Sequence, residues 1–130
     1  MHATHREPPT LPYLIQHVGH RLSLKQVRDG NYLIGGGWPS RLNTGGGRFD
    51  LSRPPELLYD SVAGNVWTAC RVLPALRESK LLRAWTGVAA IAVDQAPLLG
   101  EAPGRPGFYV IGGGSAFTLG PTYAALVAEM

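Results

Sequence analysis

The stretch best suited to chemistry is Gly107 to Pro121. Phe108-Tyr109-Val110-Ile111 is a short apolar run of aromatic and β-branched residues, which favours a strand. Gly112-Gly113-Gly114 follows and lets the backbone turn sharply and approach another group closely. Ser115-Ala116-Phe117-Thr118-Leu119-Gly120 leads to Pro121, a residue suited to a first helical turn, and Thr122 to Met130 has a helix-forming composition. Strand, glycine loop and helix start together aim free N–H groups at an anion or at the polar edge of a cofactor. The same residues also suit a tight turn that binds nothing. No Lys-Ser or Lys-Thr pair follows the last glycine, and the spacing departs from G-x-G-x-x-G, so neither common phosphate loop is present.

Other reactive side chains are scattered. His2 and His5 fall in Met1 to Thr10, a polar segment that reads as a flexible tail and fixes no metal geometry. His17 and His20 are three apart, which on a strand puts them on opposite faces. Cys70 is the one cysteine, which excludes an internal disulfide, and its apolar neighbours favour a core thiol over a nucleophile. Trp38 follows Gly35-Gly36-Gly37 and suits either the wall of a ligand pocket or the cap of a sheet edge. No Ser/His/Asp set, paired carboxylates or metal cluster stands at a recognisable spacing.

The elements that position these residues follow from periodicity. Leu11 to Val18 reads as a strand. Arg21 to Val27 alternates, with Leu22, Leu24 and Gln26 on one face. Asp29-Gly30 predicts a two-residue hairpin turn into Asn31 to Gly35, so the sheet is antiparallel here. Leu42 to Asp50 reads as a mobile loop. Ser52 is placed to cap a helix with Pro54, Pro55 and Glu56 in its first turn; Leu58, Val62, Val66, Ala69 and Leu73 give that helix one apolar face. Gly64 weakens its middle by about 1 kcal/mol relative to Ala, and Pro74 ends it near Val72. Lys80 to Val93 reads as extended, and Asp94 to Pro106 as turns.

A chain of 130 residues with 45% hydrophobic content has the size and composition to bury a core. The formal charge is +3 with only 16% charged residues and no Lys/Arg block, which gives nucleic acid nothing to hold. No apolar run is long enough to span a bilayer, and no secretory signal opens the chain, so a cytoplasmic location is expected.

Three segments, taken in order, carry a family resemblance. They are Leu24 to Pro39, containing Asp29-Gly30-Asn31-Tyr32-Leu33-Ile34-Gly35-Gly36-Gly37-Trp38-Pro39; Trp85-Thr86-Gly87 followed by Asp94-Gln95-Ala96-Pro97-Leu98-Leu99-Gly100; and Gly107 to Pro121. Together they resemble the C-terminal part of the FAD-dependent amine and amino-acid oxidoreductases of the D-amino-acid oxidase family. Glycine oxidase, sarcosine oxidase and the opine oxidase β-subunit belong to that family, and the Gly35-Gly36-Gly37-Trp38-Pro39 and Phe117-Thr118-Leu119-Gly120-Pro121 pieces look nearest to the opine oxidase type. The resemblance implies an α+β fold: a largely antiparallel substrate-domain sheet with one long helix, then a C-terminal strand, glycine loop and helix of an incomplete FAD domain. It implies a flexible tail over 1–10, substrate-domain sequence over 11–106, and the last strand and helix of the FAD domain over 107–130.

The chemistry implied is oxidation of a C–N bond in an amine, imino acid or opine-like substrate, by hydride transfer to FAD. Gly112, Gly113, Gly114, Ser115, Ala116, Phe117, Thr118, Leu119 and Gly120 would pass the flavin edge, with amides from Gly113 to Leu119 as donors. Gln26, Trp38 and Thr118 are the substrate-pocket candidates. Two departures argue against a simple α-amino acid: no cation follows Trp85-Thr86-Gly87, and Thr118 stands where sarcosine-oxidase-like members place Lys. Ala116 also replaces an expected glycine. The G-x-G-x-x-G unit that holds the nucleotide half of FAD is not in these residues, so the FAD site is expected to be incomplete here. A missing FAD-domain half or a partner subunit would complete it, and the isolated fragment would be inactive. The competing reading is a non-catalytic α+β binding or assembly module.

Overall fold

The computed structural model describes residues 1–130 throughout. In chain order its elements are β1 (His2–Arg6), β2 (Ile15–His17), β3 (Leu22–Gln26), β4 (Asn31–Gly35), β5 (Asn43–Gly45), β6 (Arg48–Asp50), α1 (Tyr59–Val72), β7 (Leu81–Ala84), β8 (Pro97–Glu101), β9 (Tyr109–Gly113) and α2 (Ala116–Ala128). Short 3-10 turns occupy Val18–His20 and Pro74–Glu78. The fold is α+β, and every strand pairing is antiparallel.

In Met1–Val88 the sheet order is β2-β3-β4-β1-β7. The alternation in β3 has the expected outcome: Leu22 and Leu24 are buried, Leu24 lies opposite Ile34, and Tyr32 and Ile34 of β4 complete the layer. Ala69 of α1 and Leu76 close this core from the other side. The hairpin turn is one residue longer than Asp29-Gly30 alone suggests. Gly30 N–H donates to Val27 O at 2.9 Å, and Val27 N–H to Asn31 O at 2.9 Å, leaving Gly30 at φ +95°. That is a turn over Arg28-Asp29 closed by a glycine bulge.

The reading of residues 1–10 as a flexible tail is corrected. His2–Arg6 forms β1, inside the sheet between β4 and β7, with His2, Ala3 and Thr4 all buried. A register shift between Ala3 and Arg6 breaks the ladder to β4, and Thr4 repairs it. Its Oγ accepts from Tyr32 N–H at 2.9 Å, while Asn31 Nδ2 donates to Thr4 O at 2.7 Å. Thr4 thus sits in a central strand because remote partners satisfy it.

Three further expectations change. Leu42 to Asp50 is not a structureless loop but the β5–β6 hairpin, turned by Gly46-Gly47 at φ +58° and +76°. Ser52 caps no helix; Asp50 Oδ1 accepts its N–H at 3.0 Å, and α1 starts at Tyr59. The reason is Pro54-Pro55, which pushes the preceding residues out of helical backbone, while Glu56 pairs with Arg41 instead. The inward line of α1 runs through Asn65, Thr68 and Ala69, with Val62 and Val66 on its flanks only half-buried. The helix ends at Val72, before Pro74, as its sequence requires.

Residues Ala89–Met130 form a second compact unit. The division falls after Val88, earlier than the expected boundary at Pro106. The turn-rich stretch contains β8, which pairs with β9, Leu99 opposite Ile111. No helix is long and apolar enough to cross a membrane.

Candidate functional site

Within Ala89–Met130, β9 runs into α2 through a turn far tighter than the predicted loop. Gly112 and Gly113 are the last residues of β9, Gly114 and Ser115 make the turn, and Ala116 to Gly120 are already helical. Pro121 is therefore inside α2 rather than at its first position, and Phe117 O loses the bond that a residue-121 N–H would supply. The turn is packed against the residues leading into β8. A Cβ at Gly114 would lie 2.7 Å from Gln95 O, and Gly113 sits at φ +89°. Ser115, the N-cap, adopts φ +57° and makes no side-chain cap. Buried Tyr123 ties the turn down from the helix, its hydroxyl donating to Gly114 O at 3.4 Å.

Two features of this turn face outward. A Cβ built at Gly112 would meet nothing within 4 Å. Leu119 N–H is bonded to Ser115 O at 2.9 Å, so Leu119 leaves the set of expected donors. The amides of Ala116, Phe117 and Thr118 precede that bond and are the free donors of the helix end. No acidic side chain stands in the first turn to oppose the positive end of the helix dipole. Thr118 is exposed at the third helical position, and Phe117 is fully exposed.

Gln26 and Trp38 belong to the other unit, Met1–Val88, and have separate surroundings. Gln26 Oε1 accepts from the Thr10 and Leu11 amides at 2.8 and 3.1 Å. Its Nε2 reaches the carbonyls of Glu7, Pro8 and Gly30 at 3.2, 2.8 and 3.0 Å. Both ends of the amide are committed to main chain, so Gln26 is a clasp for residues 7–11 rather than a free ligand group. Trp38 packs its indole onto α1 at Gly64 and remains partly exposed. Little local sequence signal exists for either contact, because apart from Gly30 the partners lie 15 to 26 positions away.

The chain matches, over residues 2–130, the sequence family described as DAO, FAD dependent oxidoreductase. It belongs to that family. The crystal structure of L-proline dehydrogenase from P. horikoshii has a similar fold, with a TM-score of 0.78 and 23% identity. The match covers 98% of this chain and 33% of that one, so the DAO-family chain spans about a third of that protein's length. No functionally curated protein matches it.

Outside the β9–α2 turn, the reactive groups of this DAO-family chain have the following surroundings. No group of three or more His, Cys, Asp or Glu residues is placed to hold a metal. Cys70 is half-buried and desolvation pushes its thiol up, against a smaller opposing effect of Arg77; this favours an unreactive thiol. His2 departs most from expectation. It is buried beside Asn65, whose Nδ2 donates to Gly35 O at 2.9 Å, and the His2 Nδ1 has no partner. Burial holds its imidazole below the usual histidine range; the nearby Met1 ammonium adds to this and a hydrogen bond with Asn65 opposes it. His17 and His20 are not on opposite faces. The 3-10 turn after β2 brings their rings to 4.4 Å.

Proposed function

We propose that this chain supplies the flavin-edge part of an oxidoreductase acting on a C–N bond. The substrate class is an amine, imino acid or opine-like compound. The observation that carries the reading is the outward side of the β9–α2 turn, where an unobstructed glycine, Gly112, precedes three free helix-end amides. This fits the edge of a flavin: a bare backbone surface admits a flat ring, and N–H donors at a helix start favour negative charge. Bound FAD would supply the hydride acceptor. The chain's own part is to donate from Ala116, Phe117 and Thr118 and to keep acidic side chains away from that edge. Gly113, Gly114 and Ser115 shape the turn, while Leu119 and Gly120 belong to the helix behind it. Trp38 and Thr118 remain substrate-side candidates; Gln26 does not. The absence of a cation after Gly87, and Thr118 in place of Lys, support a substrate lacking a simple α-carboxylate. Residues outside 1–130, on the same chain or a partner, would hold the nucleotide half of FAD, and the 130 residues alone would be inactive.

Gly112→Val is the test. Nothing in the fold occupies the space, and replacing a strand glycine favours folding by about 0.5–1 kcal/mol. The variant, assembled with whatever completes the FAD domain, should unfold no earlier than wild type yet fail to retain flavin absorbance. A folded Gly112→Val protein that keeps its full complement of FAD overturns the proposal.

A further inference from the structure

We propose that the pocket between the Val18–His20 turn and α1 binds a phosphate-type oxyanion. The cavity is about 180 Å³ and is lined by His17, His20, Trp67, Thr68, Arg71 and Val72. Its donors are prepared by their neighbours. His17 Nδ1 accepts the His20 N–H at 3.2 Å, which in the neutral ring puts the proton on Nε2 and makes that nitrogen a donor. The His20 ring lies beside it, tilted by 45°. Arg71 is one turn beyond Trp67 on α1, and its guanidinium sits 4.8 Å from the indole centroid. A cation–π contact of this kind holds the guanidinium over the indole beside the cavity that both residues line.

The pocket also lacks a partner for these donors. The ion pairs of the structure are Arg41–Glu56 and Arg53–Asp50, so Arg71 has no carboxylate. No acidic residue lines the cavity, and the Thr68 hydroxyl proton is spent on Gly64 O at 2.8 Å. Two imidazoles and a guanidinium without a carboxylate partner, around a small hollow, call for an anion. The Arg fork matches carboxylate and phosphate alike; the imidazole donors on a second element add partners for the further oxygens of a phosphate. All of these residues lie in Met1–Val88, and the inference owes nothing to the flavin reading.

Inorganic phosphate titrated into the full chain at constant ionic strength, with chloride as the balancing salt, tests it. Saturable NMR shifts should appear at the Trp67 indole N–H, the Arg71 Nε–H and the His17 and His20 rings. Arg71→Gln should weaken binding by about 10-fold or more, the loss expected for one charge-assisted contact. His17→Asn keeps an acceptor for the His20 amide but removes the ring donor, and should weaken binding several-fold while leaving the turn intact. Shifts that never saturate, that chloride reproduces, or that survive Arg71→Gln unchanged overturn the proposal. Acetate binding as tightly as phosphate overturns the assignment to phosphate.

Discussion

Gly64 and Trp38 give a measurable link between a helix propensity and a candidate pocket residue. In an exposed helix interior, Gly64→Ala would stabilise by about 1 kcal/mol. Here an ideal Cβ at Gly64 would run into Trp38 Cζ3 and Cη2 and lie 3.1 Å from Cε3. The indole must lift off α1, and overpacking of this kind costs about 1–3 kcal/mol. The net effect in the wild-type background is therefore a loss of up to about 2 kcal/mol rather than a gain. With Trp38→Ala the obstruction is gone, and the same Gly64→Ala change should recover its gain of about 1 kcal/mol. The double-mutant cycle then yields a coupling of about 1–3 kcal/mol. Urea unfolding followed by far-UV circular dichroism measures it without relying on tryptophan emission. A gain from Gly64→Ala that is equal in both backgrounds, within about 0.5 kcal/mol, would show that the indole does not rest on the helix.

Three other perturbations follow from the same structure. Stability should fall as pH drops below the ordinary histidine range: His2 binds its proton less readily folded than unfolded, so acid favours the unfolded chain until the folded imidazole itself titrates. Urea midpoints against pH should flatten in that window for His2→Asn, and an unchanged profile would refute the assignment. Gln26→Ala should cost about 1–2 kcal/mol and speed hydrogen exchange at the Thr10 and Leu11 amides, which it otherwise holds. Gly30→Ala should cost more than 1 kcal/mol, because φ is +95° and the new Cβ would meet Glu7 O at 2.6 Å; a thermal melt within a degree of wild type would contradict this.

What could be read from the sequence was what depends on neighbours in the chain. Leu22, Leu24 and Ile34 announce their strands because side-chain alternation is local, and Pro74 stops α1 because its missing N–H acts within one turn. β1 was illegible because His2 and Thr4 are polar, and Thr4 finds its partners only at Asn31 and Tyr32, more than 25 residues away. The Ser52 cap does not form for a local reason: two prolines forbid helix before them more strongly than a serine invites it. At the candidate site the strand, glycine turn and helix were legible. The extent of the loop was not, since Pro121 suggested a helix start and the chain starts its helix at Ala116 instead. That difference removes the Leu119 amide, bonded to Ser115 O, from the donor set.

The character of Ala89–Met130 bears on how that site can function. A two-stranded ribbon and one helix bury a single large side chain, Tyr123, at 7% exposure. Leu98, Phe108, Ile111, Phe117 and Leu119 are all exposed in the same unit. A hairpin with so little core is marginal in water, and the apolar side chains left exposed on it are available for another surface to cover. If the proposed reading holds, the cover is the remainder of an FAD domain. Ordering of the β9–α2 turn and assembly of the cofactor site are then one event: the contacts that bury Ile111 and Phe117 also fix the direction of the three amides. The affinity of such a site for flavin depends on that completed packing as much as on the hydrogen bonds themselves, because donors on an unsupported helix end must first be immobilised before they can bind.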